Sequence, residues 1–242
     1  MSFPKISRTI SKEEERVKVK FLKEDLELIL NREKCTGCGT CGRVCPKEAV
    51  QRGPIAATKR FPTTVDIIPE VYDPKKCVFC GTCVYMCPFS ALTLKKDGKE
   101  IPLKEIPLVL QEAVPKLDIE FKEITDNEGV KRTVRNYTEA EVSVVDEECA
   151  GGCQSCAIVC PSGAITVPKK SEKGWERTPN VVVDSDKCIA CGACDNVCPT
   201  GAMKLKITNV RFSGNYNEIY WEPLLTRLKT LRWSEGKEGS KK

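Results

Sequence analysis

Residues 34–46 read KCTGCGTCGRVCP, in which four cysteines fall within eleven residues and a proline follows the last of them. The pattern returns as KCVFCGTCVYMCP at 76–88, ECAGGCQSCAIVCP at 148–161 and KCIACGACDNVCP at 187–199. These four motifs use all 16 cysteines of the 242-residue chain. The chain is therefore best understood as one unit repeated four times.

The residues that flank the motifs also repeat. Each motif ends in proline, two variable residues, alanine and an apolar residue, as in CPKEAV, CPFSALTL, CPSGAITV and CPTGAMKL. Before the motifs lie extended stretches rich in β-branched or acidic residues: LELILNREK, VDIIPEVYDPKK, AEVSVVDEE and NVVVDSDK. This composition predicts a unit of strand, cysteine loop, short helix and strand.

The gaps between motifs indicate how the units group. Thirty-one residues separate Cys45 from Cys77 and 27 separate Cys160 from Cys188, whereas 61 lie between Cys87 and Cys149. We therefore expect the first unit to join the second and the third to join the fourth, although the sequence leaves open a nested pairing of the first with the fourth. The long segment carries two hairpin signals, at Asp97-Gly98 and around DNEG, and an apolar run PLVLQEAVPKL.

These patterns predict an α+β fold of two tandem ferredoxin-like modules, each holding two 4Fe-4S clusters, with short strands and helices, a patterned linker and a C-terminal helix. The expected boundaries are 1–100 for the first two-cluster module, 101–138 for the linker, 139–207 for the second module, and 208–242 for a docking helix with a disordered tail.

The cysteine spacing points to iron and sulfur. The run C-x2-C-x2-C-x3-C-P is typical of bacterial two-cluster ferredoxins, in which the fourth cysteine binds the other cluster. We therefore predict four 4Fe-4S clusters with ligands exchanged between motifs. The first set is Cys35, Cys38, Cys41 and Cys87; the second is Cys77, Cys80, Cys83 and Cys45; the third is Cys149, Cys153, Cys156 and Cys198; the fourth is Cys188, Cys191, Cys194 and Cys160.

Glycine follows the second cysteine at Gly39, Gly81 and Gly192, where a positive φ lets the backbone bend around a cluster. The third motif departs from the pattern, with three residues between its first two cysteines and Gln154 in place of the glycine. We expect its two glycines to absorb the extra residue as a bulge and a 4Fe-4S cluster to be bound there. A cluster of altered potential or easier iron loss is the alternative.

Two other uses of cysteine fit the pattern less well. Zinc sites usually combine two separated C-x2-C halves, whereas here three cysteines come in series and a proline follows the fourth. Disulfide frameworks belong to small secreted domains, and the N-terminus has no apolar core of a signal peptide. We therefore expect reduced, cluster-binding cysteines in a cytoplasmic protein.

The formal net charge of +5 suggests a nucleic-acid partner only while the cysteines count as neutral. An oxidised cluster core carries +2 and its four thiolates −4, so four clusters change the net charge by −8, to −3. Lysines and arginines are interspersed with acidic residues, and no apolar stretch is long enough to span a membrane. We expect neither a nucleic-acid partner nor a membrane span.

Catalysis by the chain itself is not expected. It has no histidine, all its cysteines are committed, and a cluster held by four thiolates has no open coordination position. Four such clusters in a row predict a non-catalytic electron-transfer protein that joins two redox partners.

Near the C-terminus, Leu224, Leu225, Leu228 and Leu231 share one helical face after Pro223, which is suited to a first helical turn. We expect this face to pack on the protein's own modules, with docking on a partner as the alternative. The three tryptophans, Trp175, Trp221 and Trp233, are interpreted as packing residues.

The four motifs resemble those of polyferredoxins. The stretches KKCVFCGTCVYMCP, IPLKEIPLVLQEAVPKL and FSGNYNEIYWEPLLTRLK are also similar to the polyferredoxin component of archaeal formylmethanofuran dehydrogenase. The resemblance implies an anaerobic archaeal protein that carries low-potential electrons to or from that tungsten or molybdenum enzyme, in carbon dioxide reduction during methanogenesis or its reverse.

The same resemblance implies that the partners are the other subunits of this redox complex, with a ferredoxin or an electron donor of the heterodisulfide-reductase type. Members of the family typically have eight cysteine motifs, whereas this chain has four. The alternative is a free or differently partnered polyferredoxin that serves a hydrogenase or a 2-oxoacid oxidoreductase.

Overall fold

The repeat unit deduced from the sequence is present in a computed structural model, which describes residues 4–52, 69–71, 73–168 and 179–230. The helices are α1 Thr40–Arg43, α2 Thr82–Tyr85, α3 Pro107–Leu110, α4 Ser155–Val159, α5 Ala193–Val197 and α6 Glu218–Thr230, with a 3₁₀ turn at Leu103–Glu105. The strands are β1 Lys5–Ile10, β2 Glu14–Lys20, β3 Asp25–Asn31, β4 Val50–Arg52, β5 Pro69–Val71, β6 Leu92–Lys96, β7 Lys99–Glu100, β8 Lys116–Leu117, β9 Glu120–Thr125, β10 Lys131–Asn136, β11 Thr138–Val144, β12 Ile165–Thr166, β13 Val182–Val183, β14 Met203–Val210 and β15 Phe212–Ser213.

Antiparallel strand pairs close each module. In the first, the strand before motif one, β3, pairs with the strand after motif two, β6, while β4 pairs with β5 between the motifs. The second module repeats this arrangement, with β11 paired to β14 and β12 to β13. The units are therefore paired sequentially through their strands, and the mixture of short helices and strands agrees with an α+β fold.

The N-terminal hairpin was missed in the sequence. Strands β1 and β2 extend the module sheet, which has the order β1-β2-β3-β6-β7. Its signal is the alternation in ERVKVK, where Val17 and Val19 are buried and Arg16 and Lys18 are not. Alternation over so few residues also occurs in exposed segments, so it did not predict a strand by itself.

Both predicted linker hairpins are present. At the first, Asp97 and Gly98 take φ angles of 50° and 79° between β6 and β7, as a tight two-residue turn requires. The second joins β9 to β10 around DNEG. The linker is tied to both sides: β8 pairs with β15, and the Arg135 amide donates to the Pro88 carbonyl at 2.9 Å.

The C-terminal helix α6 packs on the protein's own modules, as expected. Trp221, Leu224 and Leu228 are buried, and the Trp221 ring contacts Phe212 edge-on with centroids 5.3 Å apart. Leu231, Trp175 and Trp233 lie outside the described residues, as does the predicted tail. Within the described part of the chain, no helix is long and apolar enough to cross a membrane.

The predicted position of Pro223 in the first helical turn was wrong. The helix begins at Glu218, so Pro223 lies inside it. Asn217 supplies the cap, because its side-chain oxygen accepts a hydrogen bond from the Tyr220 amide at 3.3 Å. This cap starts the helix five residues earlier than the proline suggested.

The helix provides a matched test of its packing. Leu228 is 1% exposed and Ile219 is 89% exposed on the same helix. We expect Leu228→Ala to lower the free energy of unfolding by about 2–5 kcal/mol, because it leaves a cavity. Ile219→Ala should change it by less than about 0.5 kcal/mol. Anaerobic thermal unfolding followed by circular dichroism measures both, and equal midpoints would show that the face is not packed.

Candidate iron–sulfur centres

The four cysteine loops share one backbone path. The residue before each second cysteine has a positive φ: Gly37, Phe79, Gly152 and Ala190, at 72°, 52°, 87° and 56°. The residue three places after each fourth cysteine does too: Glu48, Ser90, Gly163 and Gly201. The same two turns therefore recur in all four loops, whether or not glycine occupies them.

The predicted role of the glycine after the second cysteine is confirmed. Gly39, Gly81 and Gly192 have φ angles of 78°, 81° and 80° and directly precede α1, α2 and α5. Gln154 in the third motif has a φ of −110°, and α4 begins after it. Gly152 absorbs part of the extra residue, since it keeps the left-handed turn that the other loops have before their second cysteine.

The cysteines of the first module lie in two groups. Burial raises the pKa of Cys35, and the neighbouring thiols that add to this effect are Cys38 and Cys87. The pKa of Cys77 rises to about 11, chiefly through burial, with Cys80 and Cys45 as its thiol neighbours. The fourth cysteine of each motif thus lies with the first three of the other motif.

The cysteines of the second module are grouped in the same way. Burial raises the pKa of Cys149, and its thiol neighbours are Cys198 and Cys153. Burial likewise raises the pKa of Cys194, with Cys188 and Cys160 as neighbours.

Two cavities coincide with complete sets. One pocket is lined by all four cysteines of the second set, and another by all four of the fourth set. The four cysteines of each of these sets therefore line one common space, as the ligands of a 4Fe-4S cluster do.

Backbone amides already point at the sulfurs of the fourth cysteines. The amides of Ala49 and Ala91 donate to the sulfurs of Cys45 and Cys87 at 3.2 and 3.3 Å. The pKa of Cys198 is lowered, because hydrogen bonds led by that from the Met203 amide outweigh the opposing effect of burial. Such N–H···S contacts stabilise negative charge on sulfur and tune the potential of a bound cluster.

The four sets differ in burial in a symmetrical way. The first and fourth sets each have three buried cysteines and one half-buried cysteine. The second and third sets each have one buried and three half-buried cysteines. We call the first and fourth the inner sets and the second and third the outer sets.

The inner sets adjoin each other across the two modules. Burial raises the pKa of Cys191, and the first of the neighbouring thiols that add to this effect is Cys38 of the other module. The Asn196 side chain donates to the Cys38 carbonyl at 2.6 Å. Within the first module the inner and outer sets are adjacent too. Burial raises the pKa of Cys41, and Cys83 of the outer set is among the neighbouring thiols that add to this effect. In the second module α4 packs against α5, which brings the third and fourth motifs together. The spatial order is second, first, fourth, third.

Some residues around the sets were not found from the sequence. From α6, Arg227 donates to the Cys45 carbonyl at 3.0 Å, and the Tyr220 hydroxyl lies 2.9 Å from that of Thr82. Helix α6 therefore covers the second set, 138 or more residues away in the chain. No local pattern signals this contact.

Comparison with known families agrees with the site. Two models, both described as a 4Fe-4S dicluster domain, match the chain: one at residues 34–91 and 148–202, the other at 69–161. The chain therefore contains two 4Fe-4S dicluster ferredoxin domains and is an iron–sulfur electron-transfer protein. Two such domains with 16 cysteines fit four 4Fe-4S clusters.

A solved structure extends the likeness to the whole chain. It is a chain of the formate dehydrogenase, heterodisulfide reductase and formylmethanofuran dehydrogenase complex from Methanospirillum hungatei, with a TM-score of 0.76 and 26% sequence identity. The match covers 100% of this chain and 98% of that chain. No curated protein matched the sequence.

The loop of the second motif can be tested with two glycines of nearly equal φ. A Cβ at Gly81 would lie 2.6 Å from Cγ2 of buried Ile106, whereas one at Gly98, with φ of 79°, meets nothing within 4 Å. Either alanine should cost about 1–2 kcal/mol through its left-handed backbone. Gly81→Ala should cost about 1–3 kcal/mol more through overpacking. Anaerobic thermal unfolding and iron retention measure the difference; equal losses would contradict the close packing at Gly81.

Proposed function

We propose that this chain is a polyferredoxin subunit that relays low-potential electrons to or from a tungsten or molybdenum formylmethanofuran dehydrogenase, in carbon dioxide reduction or its reverse. The full-length likeness to a chain of a complex that contains such an enzyme supports this proposal. The two chains also have similar lengths, so a short, four-motif relay is compatible with such an assembly.

Within this proposal the four cysteine sets are the ligands of four 4Fe-4S clusters. Each bound cluster would supply one-electron oxidation and reduction, and the protein supplies thiolates, amide donors and a fixed spacing. The observation that carries the relay is the burial pattern. Two inner sets are shielded by protein, and the two outer sets at the ends of the row are nearer the surface.

This arrangement suits transfer between two partners. An electron that enters at the cluster of one outer set would pass through the clusters of both inner sets before it reaches the other outer set. We place the enzyme at one end and a ferredoxin or an electron donor of the heterodisulfide-reductase type at the other. The protein is proposed to act in the cytoplasm, and the modules are proposed to span 1–100 and 139–207, with the linker and the C-terminal segment at 101–138 and 208–242.

The ligand exchange is tested by serine variants from different motifs. We expect Cys35→Ser and Cys87→Ser to alter the same cluster signal, because both belong to the first set. Cys77→Ser and Cys45→Ser should alter a different signal in common. Electron paramagnetic resonance of the reduced, anaerobically purified proteins reads the signals. If Cys87→Ser matched Cys77→Ser instead, each motif would bind its own cluster and the exchange would be refuted.

The partner is tested by purification from the native host under anaerobic conditions. A tagged copy should retain stoichiometric subunits of the tungsten or molybdenum enzyme, identified by mass spectrometry, and about sixteen iron atoms per chain. Cells that carry the tag on an unrelated soluble protein provide the control. Iron-loaded protein that elutes alone, or with hydrogenase or oxoacid oxidoreductase subunits, would replace this proposal with the free or differently partnered polyferredoxin.

A further inference from the structure

The two modules touch through a reciprocal pair of hydrogen bonds between the inner sets. Arg43 of the first motif donates through Nη2 to the Cys191 carbonyl at 3.3 Å. Asn196 of the fourth motif donates through Nδ2 to the Cys38 carbonyl at 2.6 Å. All four residues are buried. We call this pair of contacts the clasp.

The clasp has an internal two-fold relation. Arg43 and Asn196 each stand two places after the third cysteine of their motif, and each donates to the carbonyl of the other motif's second cysteine. Such reciprocity is the mark of an isologous contact. At the same position the outer motifs have Tyr85, which donates to the Pro115 carbonyl at 3.0 Å, and Ile158.

The guanidinium of Arg43 has donors left over. Its Nη2 also donates to the Thr40 hydroxyl at 3.2 Å, but Nε and Nη1 are buried with no protein partner. A buried cation without a counter-charge is strongly unfavourable. Burial accordingly lowers the pKa of Arg43, and the groups that oppose this are led by Cys38 and Cys191, one from each inner set.

Bound clusters would provide the missing counter-charge. An oxidised 4Fe-4S core with four thiolates carries −2 and its reduced form −3, and the sulfurs accept hydrogen bonds. Arg43 is 1% exposed, belongs to the motif loop of the first set and reaches the Cys191 carbonyl of the fourth, so its unpartnered donors fit clusters on both sides.

We propose that Arg43 is a positioning residue whose single fixed charge is shared by the two inner clusters and raises the reduction potential of both. Asn196 completes the clasp and holds the two motif loops together, but it adds no charge. The inference rests on the proposed function, since it requires clusters in the first and fourth sets.

A shared positive charge would offset the effect of burial on the reduction potentials of the inner clusters. Burial disfavours the extra negative charge that reduction brings, and the inner sets are more buried than the outer ones. Without compensation, the inner clusters would have lower reduction potentials than the outer ones, and electron transfer from an outer to an inner cluster would be unfavourable. A cation between the inner clusters favours their reduced forms and so allows electron transfer from one module to the other.

The experiment is a potentiometric titration of the anaerobic holoprotein, followed by electron paramagnetic resonance, on wild type, Arg43→Gln, Arg43→Lys and Asn196→Ala. We expect Arg43→Gln to lower the midpoint potentials of two cluster signals. Each shift should correspond to at least a tenfold change in the reduction equilibrium, which is about 59 mV for one electron. Arg43→Lys, which keeps the charge, should recover most of this shift.

Asn196→Ala separates charge from packing. It removes the other half of the clasp without altering charge, so both midpoints should stay near those of wild type. A second control is Arg135→Gln. Arg135 is also buried, but it donates to the carbonyls of Val84, Tyr85 and Cys87, which all belong to the first module, so the signal of the fourth set should stay near that of wild type.

The outcomes distinguish this inference from the function on which it rests. If wild-type protein lacks four clusters, the proposed function fails. If four clusters are present and Arg43→Gln shifts none or only one, or if Asn196→Ala or Arg43→Lys reproduces its double shift, the shared charge is refuted. Should Arg43→Gln lose iron, the bulkier uncharged variant Arg43→Met decides: two lowered midpoints support the shared charge, and unchanged midpoints overturn it.

Discussion

The placement of each fourth cysteine beside the first three cysteines of the neighbouring motif is the constraint on which the rest of the structure depends. Because Cys87 lies with the first motif and Cys45 with the second, neither loop can form its set of four alone. The strand pairs follow from this. The two motif loops lie face to face, and the pairs β3 with β6 and β4 with β5 join the segments that flank them.

A second level of order joins the modules. The clasp brings together one inner set from each module and leaves the outer sets at the two ends of the row. The residue two places after the third cysteine therefore makes different contacts in different motifs. Arg43 and Asn196 cross the module boundary, whereas Tyr85 binds the linker through the Pro115 carbonyl and, as an acceptor, the Leu117 amide at 3.0 Å.

Long-range cover completes the first module. Helix α6 reaches back from the C-terminus to contact the second set, and the linker supplies Arg135 and Tyr137, which donate to carbonyls at the end of α2. These contacts shield one half of the relay with segments that carry no cysteine. They are ordinary packing in chemical terms, yet the exposure of a cluster influences its potential.

The sequence by itself determined the local features. Cysteine spacing predicted the cluster type, the glycines predicted left-handed turns at Gly39, Gly81 and Gly192, and the flanking patterns predicted the strands and both linker hairpins. These succeed because each depends on residues a few positions apart. The ligand sets and the domain boundaries are also read from local spacing, and they remain predictions for the experiments to decide.

Only the tertiary structure decided which sets lie inside, how the modules meet and where α6 begins and packs. Arg43 looks like one more surface arginine in a chain with 39 basic residues, and its burial depends on a carbonyl 148 positions away. Pro223 misled because a helix cap at Asn217 outweighed the proline's preference for a first turn. Contacts between distant segments carry no local signature, since they depend on how the closed modules fit together.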